Sequence, residues 1–222
     1  MKDLKINKQE IIDKTAAFVQ DQLKDAESGH DWWHIVRVWN NCKLILKTED
    51  ADPLVCELTA LLHDIADSKF HDGDEEIGPR IAGEFLTSLN VDQNTILHVQ
   101  QIIRNMSYKA SLGQLDFHSK ELAIVQDADR LDAIGAIGIA RAFNYGGFKN
   151  REIYNPNIPP ALNQDKETYK NSVAPTINHF YEKLLLLTDK MNTSSAKAIA
   201  TERHRYMEDF LQQFYAEWQG ER

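Results

Sequence analysis

No stretch of the 222-residue chain stays apolar for the roughly 20 residues that a bilayer-spanning helix needs, and MKDLKINKQE at its start has no apolar signal core. A cytoplasmic location and no membrane partner are expected. Cysteine is scarce: Cys42 and Cys56 are the only two, both inside apolar helical patterns. They have neither CxxC spacing nor the makings of a disulfide framework, so they read as small buried hydrophobes in a reducing compartment. Positive charge is in deficit, with 25 Lys and Arg against 34 Asp and Glu, a net charge of −9. That balance argues against a nucleic-acid polymer as partner, because such binding is mostly phosphate neutralisation by basic side chains. A small anionic substrate stays open if positive charge, as from a metal, is concentrated locally. Strand-like alternation, internal repeats and low-complexity tracts are also missing. Gly135 and Gly138 follow no strand and lack the GxGxxG spacing, which excludes a dinucleotide phosphate loop.

What is present is a globular composition, 42% hydrophobic and 27% charged, in a length suited to one substantial core. Asn7 followed by Glu10 is a capping-box variant, and Ile12, Ala16, Val19 and Leu23 recur behind it at helical spacing. Trp32, Ile35, Trp39, Cys42 and Leu46 form a second stripe. Asp52-Pro53 is an N-cap with proline at the first helical position, opening a helix through Leu54, Leu58, Leu61, Leu62 and Ile65. Further helices are predicted through Ile77 to Leu89, through Ile96 to Ile103 behind an Asp92 cap, and from Ser119 as one long helix whose tail is Ala133 to Ala142. An irregular excursion is expected from about 144 to 165, since it holds Gly146-Gly147 and three prolines; loops this long are often functional. Two helices, roughly Ala174 to Thr188 and Thr193 to Trp218, close the chain. The predicted fold class is all-α: one domain over residues 1–222, with a core at about 29–143 and C-terminal helices at about 166–219.

The chemistry begins at Leu58-Thr59-Ala60-Leu61-Leu62-His63-Asp64, where an apolar run ends on two adjacent ionisable side chains. Leaving a polar group buried and unpaired costs roughly 2–7 kcal/mol, so a compensating partner is required, and a metal ion would serve. Solvent or the last helical carbonyls would serve as well. His34 in the first turn of its helix, and Asp127, Asp129 and Asp132 on a later one, are further candidate ligands; each also reads as an ordinary surface or core residue.

Taken in order, His34, His63-Asp64 and Asp129 match the H…HD…D signature of the HD-domain metal-dependent phosphohydrolases. HDWWHIVRV, LLHDIADSKF, QDADRLDAIGAIGIAR and NHFYEKLL resemble more closely the bacterial predicted-hydrolase branch of that superfamily, which includes nucleotide pyrophosphohydrolases. The resemblance spans roughly residues 29–218. It implies a helical HD-type bundle with additional C-terminal helices and one divalent metal held by His34, His63, Asp64 and Asp129. Asp129 is preferred to Asp127 because the superfamily's last ligand sits in an Ala-Asp-Arg-Leu context, here residues 128–131. Histidine and carboxylate donors suit Mn, Fe, Ni or Co, with Mg also admitted, and four of them leave positions open for water and a phosphate oxygen.

The same resemblance implies that Asp67, three residues after Asp64, handles a water or leaving-group proton, beside Asp64 as the other catalytic carboxylate. Arg37, Lys69 and Ser107 are candidate phosphate partners, with Arg104, Lys109 and Lys183 as weaker ones and Asp132 as pocket lining. His30 reads equally as a hydrogen-bond support for the site or as a helix-entry residue. The implied reaction is hydrolysis of a nucleoside or deoxynucleoside triphosphate to monophosphate and pyrophosphate. The alternatives are a phosphomonoesterase or small phosphodiesterase on the same site, and a non-catalytic metal-bound nucleotide sensor. The expected partner is a small phosphorylated molecule, and a homodimer is allowed for.

Overall fold

Capping chemistry starts the helices where the sequence places it. In the computed structural model, which describes residues 7–24, 30–66, 74, 76–106, 117–162 and 173–221, every regular element among the described residues is helical. Helix α1 (Lys8–Gln22) opens on Asn7, whose side chain accepts from the Gln9 N–H. Helix α2 (Trp32–Ile45) opens on Asp31, whose carboxylate accepts from the His34 N–H at 2.9 Å. Helix α3 (Pro53–Leu62) has Asp52 as N-cap and Pro53 at its first position, where the missing N–H costs nothing. Helices α4 (Ile77–Ser88), α5 (Gln93–Met106) and α6 (Lys120–Asp132) follow; Asp92 accepts from the Thr95 N–H before α5, and Ser119 from the Leu122 N–H in α6. No helix among the described residues is long and apolar enough to cross a membrane.

The chain divides into two compact units, Met1–Asp129 and Arg130–Arg222, with the division inside α6. In the first, α3 packs against α1, α2 and α5, and α4 lies along α5. Ile35, Leu58, Leu61, Leu62, Leu86 and Ile102 are wholly buried there; each such side chain contributes about 1.5–3 kcal/mol of hydrophobic free energy. Cys42 and Cys56 are buried free thiols. A hydrogen bond with Cys42, together with burial, pushes the Cys56 thiol up, which keeps it protonated and inert.

The second unit contains α7 (Gly135–Phe148), α8 (Asn178–Glu182), a 3₁₀ segment (Leu184–Lys190) and α9 (Ser194–Gln219). Phe180 is fully buried, with ring centroids 6.1 Å from Phe143 of α7 and 5.9 Å from Phe210 of α9.

Three stretches differ from the sequence-based expectation. The long helix from Ser119 breaks after Asp132, because Gly135 adopts φ +75°, a left-handed conformation costly for a residue with a Cβ. Arg141 donates to the Asp132 carbonyl and pairs with its carboxylate, and Arg203 donates to the Leu131 carbonyl at 2.5 Å, so the freed helix end is satisfied. The excursion expected from 144 instead begins after Phe148: Gly146-Gly147 is helical, and Gly146 lies so close to the Thr176 side chain that a Cβ would not fit. The helix expected over 174–188 is a short α8 and then the 3₁₀ segment. A three-residue turn brings Leu184 and Leu187 to one side, where both are buried.

Burial, with the charges of Lys183 and Arg151, pushes the His179 imidazole in α8 down to about 4. A depressed folded-state value means that the unfolded chain binds the proton more readily, so stability present above the unfolded value of about 6.5 is lost as pH falls through 4. The full effect is about 3 kcal/mol. Thermal melts of His179→Gln between pH 7 and pH 4 should therefore show a smaller acid-induced fall in Tm than wild type; parallel curves would contradict this assignment.

Candidate metal centre

The buried run of α3 ends on His63, whose backbone N–H still donates to the Thr59 carbonyl at 2.8 Å. Its Nδ1 lies 2.9 Å from the Ala60 carbonyl oxygen. A carbonyl only accepts, so Nδ1 is the donor in this bond, and Nε2 is the ring nitrogen not engaged by it. His34, only 3% exposed, is held in the first turn of α2 by the Asp31 cap, and its ring centroid is 5.5 Å from that of His63. Asp129 on α6 brings Oδ1 to 3.6 Å from His34 Nε2. One donor atom from each of His34, His63 and Asp129 lies within 4.8 Å of the others. Two donors about 2.1 Å from a single ion stand at most about 4.2 Å apart, so a small inward adjustment makes this trio fit one divalent ion. The donor types suit the transition metals named from the sequence.

Asn41 is the residue that sequence reasoning passed over. Two turns after His34 on the same face of α2, it is buried and donates to the Ala128 carbonyl at 3.1 Å, tying α2 to α6 one residue before Asp129. The available signal was a polar residue next to Cys42, seven positions after His34.

Asp64 follows His63 directly but turns Oδ2 toward His30, 2.5 Å from its Nδ1. Burial raises the Asp64 carboxyl's pKa, but the His30 hydrogen bond and the charges of His63, His30 and His34 outweigh it and hold the group below the ordinary carboxylate range. Asp64 is therefore anionic at neutral pH.

Asp67, Lys69, Ser107 and Lys109 lie outside the described residues. Arg37 is half-buried in α2, one turn after His34. Arg104 pairs with Glu76 at 2.8 Å and lines an open groove that also holds Arg80, Gln93 and Gln100. Asp132 and Lys183 belong to the second unit: Asp132 is buried against Arg141, and Lys183 is exposed at the end of α8. The structure thus gathers His34, His63 and Asp129, leaves Asp64 outside that trio with its carboxylate on His30, and holds Arg104 and Asp132 in ion pairs of their own.

One turn before His63, the Thr59 hydroxyl is wholly buried and has no hydrogen-bond partner among the described residues. Such an atom costs about 1–3 kcal/mol. Thr59→Val, which keeps the shape, should leave unfolding stability unchanged or raise it by up to about 2 kcal/mol in a denaturant titration; a clear loss would mean that a buried water satisfies the hydroxyl.

The HD domain family model matches residues 32–134, the span that contains His34, His63, Asp64 and Asp129. Over 198 residues the chain is 38% identical to the protein YpgQ of Bacillus subtilis (strain 168), covering 88% of each. A solved HD-superfamily hydrolase from Bacillus thuringiensis is 45% identical with a TM-score of 0.77, over 96% of this chain and 99% of that one. The solved structure of Bacillus subtilis YpgQ in complex with ADP superposes with a TM-score of 0.74 at 34% identity, over 95% and 96% of the two chains. Identity at this level, sustained over nearly the full length of its relatives and with the same helical architecture, means that the chain belongs to the HD-domain superfamily of metal-dependent phosphohydrolases.

Proposed function

We propose that this phosphohydrolase acts on nucleoside triphosphates, deoxynucleotides included, releasing the monophosphate and pyrophosphate. The observation that carries the metal chemistry of this reading is the gathering of His34 from α2, His63 at the end of α3 and Asp129 from α6; the release of pyrophosphate rests on the resemblance to the nucleotide pyrophosphohydrolases. The nucleotide class is supported by ADP in the solved YpgQ complex.

In this reading His34, His63, Asp64 and Asp129 hold one divalent ion of the Mn, Fe, Ni or Co class, or Mg. Such an ion supplies Lewis acidity toward a phosphoryl oxygen and lowers the pKa of a water. The chain's own residues supply orientation and charge. The Ala60 carbonyl holds the tautomer of His63, the Asp31 cap holds the helix start beneath His34, and Asn41 holds α6 near Asp129. Arg37 shares the His34 face of α2 and is the phosphate partner proposed within the described residues, with Lys69, Ser107 and Lys109 as further partners outside them. Asp67 takes or returns the proton of the water or leaving group. Arg104, Lys183 and Asp132 are weaker substrate contacts in this proposal, since Arg104 is paired with Glu76 and Asp132 with Arg141.

The test is a panel of nucleoside and deoxynucleoside triphosphates given to metal-stripped protein with Mn²⁺ restored, separating pyrophosphate from orthophosphate. Pyrophosphate should be released, and His63→Ala should lower the rate by more than about 100-fold, since loss of a supporting partner alone costs 10–100-fold. Orthophosphate would transfer the reading to a phosphomonoesterase, and binding without product to a nucleotide sensor. Asp67→Asn should cut turnover while metal content stays at the wild-type level; unchanged turnover would remove Asp67 from the reaction.

A further inference from the structure

His30 has two roles open to it at the mouth of α2, and the geometry separates them. Entry to the helix is already served by Asp31, whose carboxylate takes the His34 N–H. The His30 ring reaches across 34 positions of sequence to Asp64, with Nδ1 2.5 Å from Oδ2. Although the His30 side chain is 57% exposed and could turn to water, it is set against a carboxylate that is only 20% exposed.

Asp64 needs such a restraint. It sits beyond the end of α3, in a turn closed by the Ile65 N–H on the Leu62 carbonyl, where the helical ladder no longer orients its side chain. His63 has the Ala60 carbonyl to fix its ring, whereas Asp64 has His30. An N–H donated to Oδ2 sets the rotation of the carboxylate and leaves Oδ1 as the available donor. We infer that His30 is a positioning residue, a hydrogen-bond donor outside the ligand set that aims the Asp64 carboxylate into the His34–His63–Asp129 centre. The inference rests on the metal reading proposed above. Its consequence is that metal affinity depends on a side chain that binds no metal, the usual behaviour of partners that orient a ligand.

The experiment titrates Mn²⁺ alone into metal-stripped wild type, His30→Ala, His30→Asn, Asp64→Ala and Asp129→Ala, reading free Mn²⁺ by electron paramagnetic resonance, with melting curves of the metal-free proteins as the check on folding. His30→Ala should bind Mn²⁺ about 10- to 100-fold more weakly than wild type while folding normally. His30→Asn, whose amide nitrogen stands where the imidazole Nδ1 stands, should recover most of that loss. Wild-type affinity in His30→Ala, with Asp64→Ala impaired, would overturn the role of His30 and leave the metal centre intact. Equal weakness in His30→Asn and His30→Ala would overturn the hydrogen bond as the cause. Wild type binding no better than Asp129→Ala would overturn the metal reading, and the role of His30 with it.

Discussion

The site depends first on the burial of α3. Of its ten residues only Pro53 and Glu57 escape burial, because α1, α2 and α5 all pack on it. A helix covered on nearly every side cannot slide or rotate without exposing leucine to water, at about 25 cal/mol for each Å² uncovered. His63 is the first residue past that locked segment. Its backbone position is therefore set by hydrophobic packing, and the Ala60 carbonyl then sets its ring. A rigid apolar element thus presents an imidazole at its end with little conformational freedom left.

The other two helices are brought to that end by polar contacts as well as by packing. Asp31 starts α2 so that His34 falls in the first turn, buried, with Ile35 beside it in the core. Asn41 then reaches from the same face of α2 to the Ala128 carbonyl of α6. A buried amide bonded to a helix carbonyl has a narrower geometric tolerance than an apolar contact, so it controls the register of the two helices in a way that side-chain volume alone does not. Asp129, the next residue, inherits that register.

Much of the fold was legible because its signals are local. Asn7, Asp52, Asp92 and Ser119 announce helix starts by chemistry that acts within three residues of chain, and the apolar stripes that follow them have one period. The misread stretches are those where a distant partner decides. Gly146-Gly147 has the composition of a turn but is helical, since Gly146 faces Thr176 thirty residues on. The expected long helix ends at Asp132 because Gly135 takes a left-handed conformation and arginines of α7 and α9 satisfy the carbonyls left open. The row Leu184 to Leu187 is apolar enough for either helix type, and burial of the i and i+3 positions accompanies the tighter one.

By itself the sequence determined the helical class, most helix starts and the types of donor available, because caps, periodicity and side-chain chemistry are properties of short segments. It also carried the ordered His34, His63-Asp64, Asp129 set by which the family is recognised. Only the tertiary structure decided that donor atoms of His34, His63 and Asp129 come within 4.8 Å of one another, that Asp64 turns to His30, and that Arg104 and Asp132 hold ion pairs of their own. Those outcomes are set by helix packing across dozens of residues, where the free energy lies in buried area and in bonds between segments that share no local pattern.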